Sequence, residues 1–244
     1  MNKIKIIVII FLLAPLAAFA AEPGMPLDPA PIDSKDNESL QRGAETFVNY
    51  CLTCHGASYM RYNRHRDLGY SEPEMLKKLV LTDQKVGDLM LSSMREKEGE
   101  QWFGVVPPDL SVTARARGAD WLYTYLRAFY RDESTVSGWN NLVFDRVAMP
   151  HVLWELQGEQ ILVTETAGND GGGKDVQKLH LEVPGTLTTA EYDQYVADLV
   201  NYMVYLSEPV ANYRKELGIY VMLFLFFMLG LTYALKREYW RDIH

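Results

Sequence analysis

Cysteine is nearly absent from this 244-residue sequence, which holds two. Two thiols build neither a disulfide scaffold nor a four-thiolate metal site. A basic surplus is missing as well. The 24 lysines and arginines stand against 32 aspartates and glutamates, a net charge of −8, which excludes a nucleic-acid binder working through a broad basic face. There is no internal repeat. With 48% hydrophobic and 23% charged residues, the composition is globular rather than disordered, and the length suits one or two domains.

Charge is also missing from two apolar segments at opposite ends. The first follows Met1-Asn2-Lys3-Ile4-Lys5, runs from Ile6 to Ala18 and closes on Ala18-Phe19-Ala20. A basic start, a short apolar stretch and small residues in an A-x-A site read as a cleaved secretory signal over residues 1–20. Its removal takes Lys3 and Lys5 with no acid, lowering the net charge from −8 to −10. The second, Leu217 to Leu235, is LGIYVMLFLFFMLGLTYAL. As a helix it spans about 28 Å, close to the hydrocarbon thickness of a bilayer. Tyr220, Tyr233, Tyr239 and Trp240 suit the interfacial belts. The expectation is an exported domain over 21–213, a membrane anchor over 214–236 and a cytoplasmic tail over 237–244. In a bacterium this places the body in the periplasm, on the outer side of the cytoplasmic (inner) membrane.

Both cysteines fall in Cys51-Leu52-Thr53-Cys54-His55. This is C-x-x-C-H, the attachment sequence of c-type haem. Thiols three residues apart each form a thioether with a haem vinyl group, and the adjacent imidazole reaches the iron as proximal ligand. The competing readings are weaker. A redox dithiol does not need the histidine, a zinc site needs two further ligands, and a disulfide here closes too small a loop to stabilise much.

The sixth iron position has several candidates in the exported body. Met90 and Met94, four apart, read as one helix face; Met203 sits on the apolar face of a predicted helix; Met60 lies too close to His55. Met149 precedes Pro150, which disfavours helix there. It ends a loop, Ser137 to Ala148, rich in aromatic and aliphatic residues. A thioether favours reduced iron and suits an electron carrier. These features single out Met149, with His151 as the next choice.

The remaining organisation follows from caps and periodicity. Residues 21–38 are rich in proline and aspartate and read as an extended lead-in. Ser39 is the expected cap of a helix to about Cys51, with Leu40, Ala44, Phe47 and Val48 on one face. Asp120–Tyr130 reads as another helix. Thr188 and Glu191 form a capping box opening a helix to about Leu206. Gly43 and Phe47 against Tyr202 would permit a close crossing of the first and last of these helices. Residues 159–183 alternate around Gly171-Gly172-Gly173, suggesting an exposed hairpin.

Taken in order, CLTCH at Cys51–His55, PPDLSVTARARG at Pro107–Gly118, Met149-Pro150 and the C-terminal anchor ending in LKREYWRD resemble the cytochrome c1 family, the haem subunit of the cytochrome bc1 complex. The resemblance covers nearly the whole chain. It implies a mainly α fold: a class I cytochrome c-like haem domain with loop and hairpin insertions, plus one C-terminal transmembrane helix. It further implies one covalent haem c on Cys51 and Cys54, with His55 and Met149 as axial ligands. Arg115 and Arg117 would lie near the propionates, Arg117 being the better placed for a charge-assisted bond. A family tyrosine near the propionates is replaced here by Trp121. The stretch MPHVLWELQG departs from the proline-richer version of mitochondrial relatives.

The same resemblance implies an electron relay rather than an enzyme acting alone. Electrons come from a Rieske iron–sulfur subunit and leave to a cytochrome c, within a dimeric complex that also holds cytochrome b and sits in membrane lipid. The negative charge favours a basic acceptor. The rival readings are a different anchored c-type cytochrome serving an oxidase or dehydrogenase, a haem-based gas sensor with an open sixth site, and a thiol oxidoreductase.

Overall fold

The structure, a computed structural model, describes residues 25–167 and 174–243. The expected signal segment, residues 1–20, and the triple glycine at 171–173 lie outside the described residues. What is described is mainly helical, with short two-stranded sheets and one long apolar helix at the C-terminal end.

The chain enters through an extended stretch that is firmly pinned. Asp28 N donates to Thr124 Oγ1 at 2.8 Å and Ala30 N to Asp120 Oδ1 at 2.8 Å. Helix α1 then runs Asn37–Thr46. Its cap is Asp36 rather than the expected Ser39: the Asp36 carboxylate accepts from Ser39 N at 3.0 Å, so Ser39 is already in the first turn. Asp and Ser both cap well, and the earlier residue wins because its side chain reaches the third amide. The helical path continues to Cys51 as expected, but Phe47–Cys51 is a π-helical turn, a wider winding that recurs at functional sites.

Helix α7, Thr189–Ser207, crosses α1. Its start is the expected capping box, with Thr188 Oγ1 accepting from Glu191 N at 3.3 Å and Glu191 accepting from Thr188 N at 2.9 Å. Gly43 makes the crossing possible, because a Cβ there would lie 2.1 Å from the Asp198 carbonyl oxygen and 2.6 Å from Tyr202 Cβ. Around that point Phe47 and Tyr202 pack with ring centroids 5.6 Å apart. Arg42 grips Asp198 through two bonds, of 2.6 and 3.2 Å.

Several short elements wrap this pair. Strand β1 (Ala57–Arg61) pairs antiparallel with β2 (Leu89–Met90). A 3₁₀ turn (Tyr62–Leu68), α2 (Glu72–Lys78), α3 (Glu96–Phe103) and α4 (Thr113–Arg117) come from tertiary packing more than from periodicity. Met90 is therefore in a strand, and Met94 in the loop before α3, so the two do not share a helix face. Helix α5 covers Ala119–Arg127, ending short of Tyr130. Phe129–Arg131 instead forms β3, paired with β4 (Trp139–Asn141), because Phe129 and Tyr130 gain a cross-strand partner that a longer helix would forfeit. Tyr192 Oη of α7 donates to the Leu126 carbonyl at 2.9 Å, and Arg127 pairs with Asp193 at 2.6 Å, fixing α5 on α7.

After the short α6 (Trp154–Gln157), strands β5 (Gly158–Ala167) and β6 (Lys174–Pro184) make the expected antiparallel hairpin. The last helix, α8, runs Ala211–Tyr239, about 43 Å at 1.5 Å per residue, with no buried residue. Among the described residues it is the one helix long and apolar enough to cross a membrane. It extends one turn beyond 214–236 at each end. Asn212 and Ser34 exchange bonds of 3.0 and 3.1 Å, tying the lead-in to the start of α8.

Candidate haem site

A cleft of about 470 Å³ opens beside the α1–α7 crossing. Leu199 and Met203, one turn apart on α7, form part of its floor, and Leu122 and Leu126 of α5 part of a side wall. The π-helical turn delivers Cys51 to this cleft, and the following turn delivers Cys54 and His55. Burial, and secondarily the neighbouring Cys54, pushes the Cys51 thiol up to about 12; burial also raises Cys54. Both thiols therefore stay protonated near neutral pH, unlike a redox-active pair with a lowered pKa.

The PPDLS stretch explains itself as a clamp on this turn. His55 Nδ1 donates to the Pro108 carbonyl at 2.8 Å, which fixes the tautomer and leaves Nε2 with its lone pair. Leu110 N donates to the Gly56 carbonyl at 2.8 Å. The Asp109 carboxylate accepts from Ser58 N and Ser111 N, both at 2.8 Å. Burial works against the Asp109 charge, but the bonds from Ser111 and Ser58 outweigh it and hold the carboxyl below its ordinary range. Burial likewise holds the His55 imidazole below its usual pKa, against the opposing bond to Pro108 and the nearby Asp109. A neutral imidazole is the form that ligates a metal.

The opposite wall comes from the loop after β4. Two buried asparagines shape it. Asn140 Oδ1 accepts from Asn141 N and Arg146 N, both at 2.8 Å, and Arg146 adopts a left-handed φ of 55°. Asn141 Oδ1 accepts from Val143 N at 2.9 Å and Phe144 N at 3.2 Å. The loop thereby presents Phe144, Val147, Ala148 and Met149 to the cleft. His151 turns away: it is buried, stacked on Phe129 at 4.8 Å and edge-on to Trp139, outside the cleft lining. Burial drops its pKa to about 4.

The two arginines part company. Arg117 lines the cleft, its guanidinium 5.1 Å above the Trp121 ring. Arg115 lies outside the lining, 3.9 Å from Glu208 at the foot of α7. Periodicity alone missed Tyr125, which also faces the cleft; its place in an apolar helix reads as ordinary core.

A single cleft thus holds two protonated thiols, an imidazole with a free Nε2, the thioethers of Met149 and Met203 and the guanidinium groups of Arg117 and Arg146, in largely apolar surroundings. That donor set fits a covalently attached haem. The profile described as Cytochrome C1 family matches residues 29–161 and 185–243. The chain belongs to the cytochrome c1 family. Members of this family carry covalent haem c and serve as the electron-transfer subunit of the bc1 complex, not as an enzyme alone. The chain is 46% identical over 242 residues to cytochrome c1 of Allochromatium vinosum, covering 98% of this chain and 99% of the relative. It is 28% identical to cytochrome c1 of Rhodospirillum rubrum, over 85% and 83% of the two chains. A Nitrosomonas europaea protein named ammonia monooxygenase gamma subunit is 64% identical over the full length of both. Most of the β5–β6 hairpin falls between the two matched family stretches.

Proposed function

We propose that this chain takes electrons from a Rieske iron–sulfur protein and passes them to a c-type cytochrome, from a haem held by Cys51 and Cys54 with His55 and Met149 as axial ligands. The observation that carries the reading is the meeting of those four side chains in one cleft. When bound, the haem would supply a one-electron couple, with His55 and Met149 as the side chains that would hold its iron. The protein's own part is to hold and shield. The Pro108 carbonyl fixes the imidazole, the β4 loop carries the thioether, Leu199 and Met203 exclude water, and Arg117 offers a charge-assisted bond to a propionate. No side chain acts as acid, base or nucleophile.

In this reading α8 anchors the domain beside cytochrome b in the bacterial cytoplasmic membrane, with the haem domain on the periplasmic side and the complex a dimer. The relative from Bradyrhizobium diazoefficiens named cytochrome b/c1 supports the pairing with cytochrome b. A second reading, association with an ammonia monooxygenase, is favoured by the name of the 64% identical relative. Gentle solubilisation and purification through a tag on this chain separates them. The expected companions are cytochrome b and a Rieske protein, with quinol-dependent reduction of the haem. Monooxygenase subunits without cytochrome b would favour the second reading.

A further inference from the structure

The Tyr125 ring is buried on α5, stacked on Trp121 at 4.8 Å with 10° between the planes and edge-on to Phe129 at 5.1 Å. Its backbone is held as well. Asn141 Nδ2 donates to the Tyr125 carbonyl at 2.8 Å, while Asn141 Oδ1 takes the first amides of the loop that ends at Met149. One buried amide therefore ties helix and loop together. Within that frame the Tyr125 hydroxyl donates to Met149 Sδ at 3.4 Å. A buried hydroxyl left without a partner is destabilising, so even a weak sulfur acceptor keeps it there.

A thioether sulfur has two lone pairs, and a metal uses one. We propose that Tyr125 is a positioning residue acting through Met149. Its hydroxyl occupies the second lone pair of Sδ, draws electron density from the sulfur and so favours the reduced form of the iron it ligates. Hydrogen bonds to ligand atoms are one of the levers by which proteins set haem potentials. The inference rests on the reading of Met149 as axial ligand. The reach of Met149 into the cleft is set by the loop and by Asn141, not by the hydroxyl, so Tyr125→Phe removes the bond while keeping the ring stack.

The test is an equilibrium redox titration of the purified, haem-loaded membrane protein, unmodified and as Tyr125→Phe. Alongside it, the charge-transfer band of thioether-ligated ferric haem is recorded. The band is expected in both proteins, with a lower midpoint in the variant. At a fixed ambient potential the ratio of reduced to oxidised haem falls about two- to ten-fold, the range of one neutral hydrogen bond. An unchanged or raised midpoint overturns the proposal, as does loss of the band from Tyr125→Phe. Absence of the band from the unmodified protein overturns the ligand reading itself, and is seen before any variant is made.

Discussion

Gly43→Ala is expected to destabilise the haem domain by about 3 kcal/mol, the upper end for overpacking. The added Cβ would sit 2.1 Å from the Asp198 carbonyl oxygen, which is backbone and cannot rotate away, and 2.6 Å from Tyr202 Cβ. Relief requires α1 and α7 to separate, which loosens the Phe47–Tyr202 packing and the Arg42 grip on Asp198. Alanine is the better helix former by about 1 kcal/mol, so propensity alone predicts the opposite sign. The clash is the larger effect. Gly87→Ala is the control, since a Cβ there meets nothing within 4 Å. Thermal unfolding of the detergent-solubilised protein, followed by circular dichroism, should show a large drop for Gly43→Ala and little for Gly87→Ala. Equal stability of Gly43→Ala and the unmodified protein would mean that the helices do not cross at this residue.

Met149→Leu should retain covalent haem yet lose its sixth ligand. Leucine matches methionine in volume, so the fold pays less than about 1.5 kcal/mol. The reduced haem should then bind carbon monoxide promptly, and the midpoint potential should fall because the thioether no longer favours reduced iron. Met203→Leu is the necessary companion, since Met203 also lines the cleft. Its expected result is unchanged ligation, because Met203 belongs to the buried floor on α7 while Met149 is carried on the facing loop. If Met149→Leu keeps the original spectrum and Met203→Leu loses it, the assignment of the axial ligand moves to α7.

Much of this site was legible in residue order because its constraints are local. Two thiols and an imidazole within five residues reach one cleft together because they lie on one stretch of chain. Thr188 and Glu191 fix a helix start through bonds three residues apart. The charge-free run marks α8 as long and apolar enough to cross a membrane. The crossing at Gly43, Phe47 and Tyr202 was also readable, since a glycine facing an aromatic across a predicted helix pair marks close approach. Long-range contacts decided the rest. Asp109 looks like any turn aspartate until Ser58, more than fifty residues away, donates to it. The helix expected to reach Tyr130 yields at Arg127 to a strand partner at Trp139–Asn141. His151 looked eligible by chemistry and proximity, but its stacking on Phe129 turns it from the cleft. Arg115 and Arg117 share one short helix, yet one faces Glu208 and the other the cleft, a distinction set by the rotation of α4 rather than by residue type.

Cys51 and Cys54 are the only two thiols in the sequence, and a covalent porphyrin would be bonded to both. Mass spectrometry of the purified subunit, with peptide mapping across residues 51–55, measures this directly. The predicted result is the processed polypeptide plus one haem, with the added mass on the peptide bearing Cys51 and Cys54. A subunit at the bare polypeptide mass, or with haem that dissociates on denaturation, would contradict it.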